Sequence, residues 1–363
     1  MLVLILYFMT AQVEWDLNSD TLVLAEKDAP FSQGSGLLSQ RLRFNIDWDL
    51  KQNWSFEAAY DQVFITRRNL VWPPADVHLR TDNLNSPISQ RQNSIWLQQI
   101  DRLAIHKEWE SAEVILGRQA VGFGNGRFFN PSDIFAPITP YSLNTEYKAG
   151  IDGVRVIWRL SENSDMEVLS FLDESNNHLS LLKFSTHIIG IDLAGYAGDS
   201  YGELTLGWDL AWTGDTSVWY TEGIFRKGVN RKSPLRLMAG VQRRIRDNLD
   251  ILAEYQYHSK GLNDFKALPN LTHIKEIAYG ELFYMGRQQA ALFLQFEFHP
   301  LFKGTLQMIH DMSGNSQWVL LSFDWDKNEN TNLRFGVLGS NGDELSEFGW
   351  YSNSIFCEFK LVL

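Results

Sequence analysis

The sequence predicts an all-β fold, a transmembrane antiparallel up-and-down β-barrel, on three observations. Segment after segment alternates apolar and polar residues with period two; no apolar run is long enough for a spanning helix; short and long turns alternate along the chain. The hairpin from Arg41 to Tyr60 shows the first. Leu42, Phe44, Ile46, Trp48 and Leu50 alternate with Arg43, Asn45, Asp47 and Asp49, and after Lys51-Gln52-Asn53 the rhythm resumes in Trp54, Phe56, Ala58 and Tyr60. Period two sends each set to its own face of a strand. One face is apolar enough for lipid and the other carries charges of both signs, which is the signature of a barrel enclosing water in an outer membrane.

Later copies make the hairpin a repeated unit. Leu204, Leu206, Trp208, Leu210 and Trp212 alternate with Glu203, Thr205, Gly207 and Asp209. Leu249, Ile251, Ala253, Tyr255 and Tyr257 face away from Asp250, Glu254, Gln256 and His258, and Leu292, Leu294, Phe296 and Phe298 oppose Gln295, Glu297 and His299. Near the end, Val319, Leu321, Phe323 and Trp325 oppose Ser322, Asp324 and Asp326, and Leu333, Phe335 and Val337 oppose Asn332 and Arg334.

The longest uninterrupted apolar stretch, Met1 to Met9, falls far short of the roughly 20 residues a spanning helix needs, so a helical membrane protein is excluded. A soluble sandwich would keep its aromatic residues in a core between two sheets. Here 23 Phe, 13 Trp and 12 Tyr are spread over nearly every strand and often sit beside turns, as girdles at two membrane interfaces require. A net charge of −12 with no basic stripe argues against a nucleic-acid partner. The single cysteine, Cys357, cannot form an internal disulfide, and it shares its parity with Ile355, Phe359 and Leu361 on the expected lipid face. Residues 1–11, ending Met9-Thr10-Ala11, read as the apolar remnant of a secretory signal without its basic start, which leaves 12–363 as a single barrel domain.

Short polar turns are expected at 51–53, 110–111, 161–164, 246–248, 300–303 and 326–330, and longer connections at about 18–36, 66–90, 120–149, 259–286 and 340–350. This alternation is what up-and-down strands produce when one set of ends lies in the periplasm and the other outside. Strands of about 9 to 11 residues between these turns number about 18, with 16 as the fallback where the first strand and 165–200 read poorly. A barrel of that size leaves an aqueous lumen. Within the long external loop 259–286, Leu271, Ile274, Ile277, Ala278 and Leu282 recur at helical spacing, so one short helix is expected there. The last strand alternates correctly through Ile355, Cys357, Phe359, Leu361 and Leu363, though it closes on Leu where an aromatic assembly signal is expected.

The stretch from Gly117 to Arg159 is the candidate functional segment. Three alternate glycines, Gly122, Gly124 and Gly126, permit conformations closed to other residues, and Pro131 and Pro137 stiffen the exit. A loop of this length that mixes charges with aromatic residues is expected to fold into the lumen as a constriction over 120–149. The candidate pore residues are Arg118, Asn125, Arg127, Asn130, Asp133, Glu146, Lys148, Asp152, Arg155 and Arg159. A loop that merely braces the rim is the competing structural reading. Wall charges on or beside the polar parity, among them Arg41, Arg43, Arg236, Glu254, Asp324 and Arg334, are a second source of lumen field.

In this segment Gly117-Arg118-Gln119, then Asn130-Pro131 and Asp133, then Lys148, Gly150 and Asp152, resembles a motif of Gram-negative outer-membrane barrels. These are uncharacterised porin-like proteins and, more loosely, 18-stranded porins of the alginate-export type; many relatives carry Trp-Gly where this chain has Phe123-Gly124. The resemblance spans about 40 residues, and it implies a barrel with an in-folded loop without defining a substrate.

Eight scattered His residues with no His-Glu-x-x-His or Cys-x-x-Cys spacing give no metal site, and Gly122-x-Gly124-x-Gly126 lacks the context of a dinucleotide fingerprint. No cofactor and no catalytic residue are assigned, and an enzyme is not expected. The expected function is passive diffusion of small polar or anionic solutes across the outer membrane. A polysaccharide export conduit and a sheath around a partner protein are the alternatives. Expected partners are outer-membrane lipid and lipopolysaccharide, the barrel-assembly machinery, and the solute or polysaccharide itself, with the barrel a monomer or trimer.

Overall fold

A computed structural model describes residues 12–27, 36–67, 79–81, 84–139, 143, 147–172, 178–227, 234–263 and 281–363. The first strands are β1 (Gln12–Glu26), β2 (Gly36–Leu50), β3 (Trp54–Arg67), β4 (Asn85–Arg91), β5 (Ser94–Glu108) and β6 (Ala112–Gln119). The wall continues with β7 (Ile151–Ser161), β8 (Ser164–Leu172), β9 (His178–Ile188), β10 (Ile191–Ser200), β11 (Glu203–Thr213) and β12 (Ser217–Lys227). It ends with β13 (Leu235–Arg246), β14 (Leu249–His258), β15 (Gln288–His299), β16 (Phe302–Asp311), β17 (Ser316–Asn328), β18 (Thr331–Asn341) and β19 (Ser354–Val362).

Chain neighbours other than β3 and β4 pair antiparallel around the sheet, β3 pairs with β5, and β1 pairs with both β2 and β19, so the sheet closes into a barrel. Closure removes the two free edges that an open sheet would expose to hydrocarbon. The wall has 18 positions, although the described residues contain 19 strands. The reason lies at β5. Strand β3 runs along one of its edges, while β6 covers only Leu103 to Glu108 of the other and β4 covers Ser94 to Gln99. Two short strands therefore share one position, because β6 leaves the wall at Gln119 and β4 fills the gap above it.

The two faces follow the sequence parity. Leu42, Phe44, Leu204, Leu206, Val337, Ile355 and Phe359 are exposed on the outside, and so is Cys357, while Arg43, Asp61, Glu222, Glu254 and Glu358 are buried on the inside. Seven of the nine exposed tryptophans among the described residues, Trp15, Trp54, Trp109, Trp158, Trp212, Trp219 and Trp325, lie near the short-turn rim. A belt of amphipathic rings at one level marks a membrane interface. The expected alternation of long and short connections is broken on the long-loop side by tight connections at Tyr201-Gly202 and at 312–315. The connections at 189–190 and 214–216 on the short-turn side, and those between β8 and β9 and between β12 and β13, are not among the expected turns.

Two expectations are revised. The first connection was expected from about Asn18, but β1 continues to Glu26, because Asn18 and Asp20 sit opposite Arg43 and Arg41 on the polar face and the apolar set resumes beyond them. The expected helix over 271–285 lies mostly outside the described residues, and its described end, 281–285, is not helical.

Candidate functional site

Two residues before the chain leaves the wall, Gly117 has a φ of +121°, which favours glycine, and a Cβ there would strike the Leu103 carbonyl oxygen. The next turn of backbone is braced by Arg118. Its guanidinium grips Asp152 through Nε and Nη2, both at 2.7 Å, and donates to the carbonyls of Ile100 and Thr81, each at 2.8 Å. Asp152 also accepts from the Thr81 amide at 2.7 Å. Arg118 is 1% exposed, so this pair is a fork-and-carboxylate brace across β6 and β7 at the root of the loop, and its charge is spent inside the wall.

Residues 121–137 then run through the barrel interior and pack on the wall from β8 round to β15. Phe123 meets Tyr196 of β10 with ring centroids 5.5 Å apart, and Phe135 meets Phe171 of β8 at 5.6 Å. Phe128 and Phe129 join Met238, Leu252, Phe293 and Phe356 in a second apolar cluster. These wall residues stand on the lumen parity, where a water-filled channel needs polar side chains. They are apolar because the loop covers them.

Two wall carboxylates hold the loop backbone. Glu222 of β12 accepts from the amides of Asn125, Gly126 and Ser132, the last two at 2.7 and 3.3 Å. Glu254 of β14 accepts from the amides of Arg127, Phe128 and Phe129 at 2.7, 2.9 and 3.0 Å, and from the Tyr220 hydroxyl at 2.7 Å. Glu222 is fully buried and Glu254 is 3% exposed. A buried carboxylate is tolerated when several donors saturate it: Glu254 gathers three consecutive N–H groups into a nest, and Glu222 gathers two consecutive ones and that of Ser132. Gly124, just before the amides held by Glu222, has φ +82°, and any side chain there would run into the Glu222 carboxylate and Asn130.

The other candidate residues separate into groups. Asn130 fastens the loop to itself, donating to the Phe123 carbonyl at 2.7 Å and accepting from the Asp133 amide at 3.1 Å. Asn125 reaches Asp209 at 3.4 Å. Asp133 is ion-paired with Lys148; burial pushes its carboxyl above the ordinary range and Lys148 opposes that shift. Arg155 pairs with Glu167 across β7 and β8, and Arg159 pairs with Glu108 at 2.8 Å near the short-turn rim, so both stand down the wall from the loop. Glu146 lies outside the described residues.

Arg127 differs from all of these. Its backbone is tied to Glu254, but its guanidinium lies over the Phe293 ring, 3.7 Å from the centroid, and the residue is exposed and lines a cavity of about 830 Å³. That cavity runs from the loop down the β15–β18 wall, where Gln295, Lys303, Gln307, Asp324 and Arg334 line it. The contact with the ring face holds the cation at the cavity wall.

Residues of a third and fourth segment complete the enclosure. Tyr284 packs edge-on against Phe129, with centroids 5.0 Å apart, and donates to the Phe128 carbonyl at 3.1 Å. Glu281 is anchored by Arg226 at 2.6 Å and lies 3.8 Å from Arg236. Phe348, from the connection between β18 and β19, is buried in the same cluster. Glu222, Glu281 and Glu347 were not among the residues singled out from sequence, and Glu254 was read only as a wall charge. The available signal was local: apolar residues such as Tyr220, Ile224, Met238 and Phe293 on the polar parity mark where something packs inside.

Such a closed antiparallel wall, apolar outside and bridged inside by a pinned loop, belongs to the class of transmembrane β-barrels. Among solved structures the chain is similar to Acinetobacter baumannii OccAB3 (TM-score 0.63, 10% identity, 97% of this chain and 99% of that one) and OccAB1 (0.63, 9%, 97% and 96%). It is also similar to Pseudomonas aeruginosa OprD, with a TM-score of 0.61 and 8% identity over 97% of this chain and 95% of that one. At such identities the likeness is one of fold. No protein-family model matches the chain, and no curated protein matches it.

Proposed function

We propose that this protein is an outer-membrane channel for passive diffusion of small polar or anionic solutes, narrowed by the loop 120–149. One observation carries the reading: the exposed Arg127 guanidinium, held on Phe293 above a polar cavity of about 830 Å³ inside a closed barrel. The barrels it resembles, Occ and OprD proteins, are outer-membrane porins, which supports the same reading. A solute passing the loop meets one oriented cation whose charge no carboxylate side chain neutralises by direct contact among the described residues. The charges of Arg118, Asp152 and the Lys148–Asp133 pair are already balanced against each other. They shape the loop, and Arg127 meets the solute.

Export of a polysaccharide, the reading suggested by the alginate-export resemblance, needs a wide bore, and the loop with its two apolar clusters occupies that space. A sheath around a partner protein is disfavoured on the same ground. Single-channel recording of the refolded protein tests the proposal. Discrete steps, with a reversal potential under a salt gradient that moves toward cations in Arg127→Glu, are expected. A folded barrel that never conducts would overturn the channel, and an unmoved reversal potential would remove Arg127 from the path.

A further inference from the structure

The outer mouth of the barrel holds a carboxyl that the solute path does not use. Glu347, in the connection between β18 and β19, has no exposed surface. Its Oε2 accepts from the amides of Met285 and Gly286 at 2.7 and 2.8 Å. Its Oε1 is buried with no hydrogen-bond partner among the described residues. The segment it grips is the one that carries Tyr284 onto Phe129 of the in-folded loop. The neighbouring Phe348 is buried in the same cluster and its amide donates to the Ser316 hydroxyl at 3.2 Å, so this short stretch is anchored independently of Glu347.

We propose that Glu347 is a pH-responsive latch: neutral, it clamps segment 281–286 onto the constriction loop, and on ionising it releases that segment and widens the solute path. This rests on the channel reading above. The groups facing Glu347 give the sign. Asp311, at the end of β16, carries the same charge toward it, with His310 beside Asp311; Tyr284 from the gripped segment and Tyr351 from its own connection stay neutral, since burial pushes both hydroxyls further up. No cation balances an ionised Glu347 in that set. Gly286 fits only because it lacks a side chain, since a Cβ would strike the Asp311 carboxylate and Gln289, so the gripped backbone is held close between the two acids.

Burial raises the Glu347 carboxyl to about 8, against the two amides that favour its anion. A carboxyl raised in the closed state stabilises that state at acidic pH, and the stabilisation is lost as pH rises through the raised value. Between pH 6 and 9 the ratio of latched to released forms should fall by roughly tenfold or more.

The experiment is single-channel recording with pH stepped from 6 to 9 on the long-loop side, on wild type and Glu347→Gln, together with hydrogen exchange at the Met285 and Gly286 amides. Gln keeps an acceptor for both amides and cannot ionise. Wild type is expected to show rising mean current and mouth fluctuation across the step, with exchange at those amides growing beyond the intrinsic base-catalysed increase; Glu347→Gln should be flat in both. An equal pH response in Glu347→Gln, or none in wild type, overturns the latch. A folded barrel silent at every pH would defeat the channel reading alone, and the exchange data would still decide the latch. Should Glu347→Gln not refold, unchanged wild-type protection from pH 6 to 9 overturns it.

Discussion

Glu254 places a full carboxylate under the loop and satisfies four donors with it, three of them backbone amides. The arrangement makes the loop's position a property of two wall residues. Leaving a buried amide without its acceptor costs about 1–3 kcal/mol, so Glu254→Ala should loosen residues 127–129 by several kcal/mol while the ladder on either side of β14 stays paired. Recordings of that variant are expected to show higher and noisier conductance, with the heat-modifiable gel shift of the folded barrel retained. Conductance equal to wild type would mean that apolar packing alone holds the loop. Arg127 sits at the same scale with the opposite role, since its side chain makes no close ion pair among the described residues and its removal should change selectivity far more than stability.

At the scale of the element, the loop behaves as a small core that is missing from the wall and supplied from inside. Phe123, Phe135, Phe128 and Phe129 cover Tyr196, Phe171, Phe293 and their neighbours, which would otherwise present apolar surface to water. Deleting Gly124 to Pro137 is therefore expected to raise conductance several-fold and also to lower barrel stability, because Glu222 and Glu254 lose their donors and the apolar wall is uncovered. Adding Glu222→Gln and Glu254→Gln to the deletion should recover part of the lost thermal stability, read by the temperature of the gel-shift transition. A deletion as stable as wild type would show that lumen water replaces the loop without cost. The brace at the loop's root makes a separate statement: Arg118→Lys keeps the charge but loses the bidentate fork to Asp152, and refolding yield should drop.

Across the whole molecule, charge is distributed unevenly along the barrel axis. Near the short-turn rim Glu14, Asp47 and Glu57 sit directly opposite one another across β1, β2 and β3. Like charges in register destabilise a sheet. Higher on the same strands Arg41 and Arg43 bind Asp61, and Arg43 also binds Asp101, so the middle of that wall is neutralised pair by pair. On the channel reading, a permeating ion passes from the cationic edge of Arg127 to this acidic row, of which Glu57 also lies 3.4 Å from Arg102. Current–voltage curves are expected to be asymmetric at 0.1 M salt and nearly symmetric at 1 M, where the Debye length shrinks from about 10 Å to about 3 Å. Replacing Glu14, Asp47 and Glu57 with their amides should remove most of the asymmetry; asymmetry that survives the replacement would assign the field to the loop alone.

Much of this architecture could be read directly from the residues. Period-two alternation set which face of each strand meets lipid, and turn chemistry set where strands end, because both are local properties that a strand carries wherever it pairs. The 120–149 segment was legible as an unusual insertion for the same reason: glycines and prolines advertise their backbone needs. The sharing of one wall position by β4 and β6, the long reach of β1, and the partners of each charge were not legible. Arg118 and Arg127 look alike in the chain, yet one is sealed against Asp152 and the other lies open on Phe293. Glu222, Glu254 and Glu347 acquire their roles from amides 60 to 130 residues away. A side chain's fate as brace, ligand or latch depends on which distant backbone closes over it, and in a closed barrel only the register of the full ring decides that.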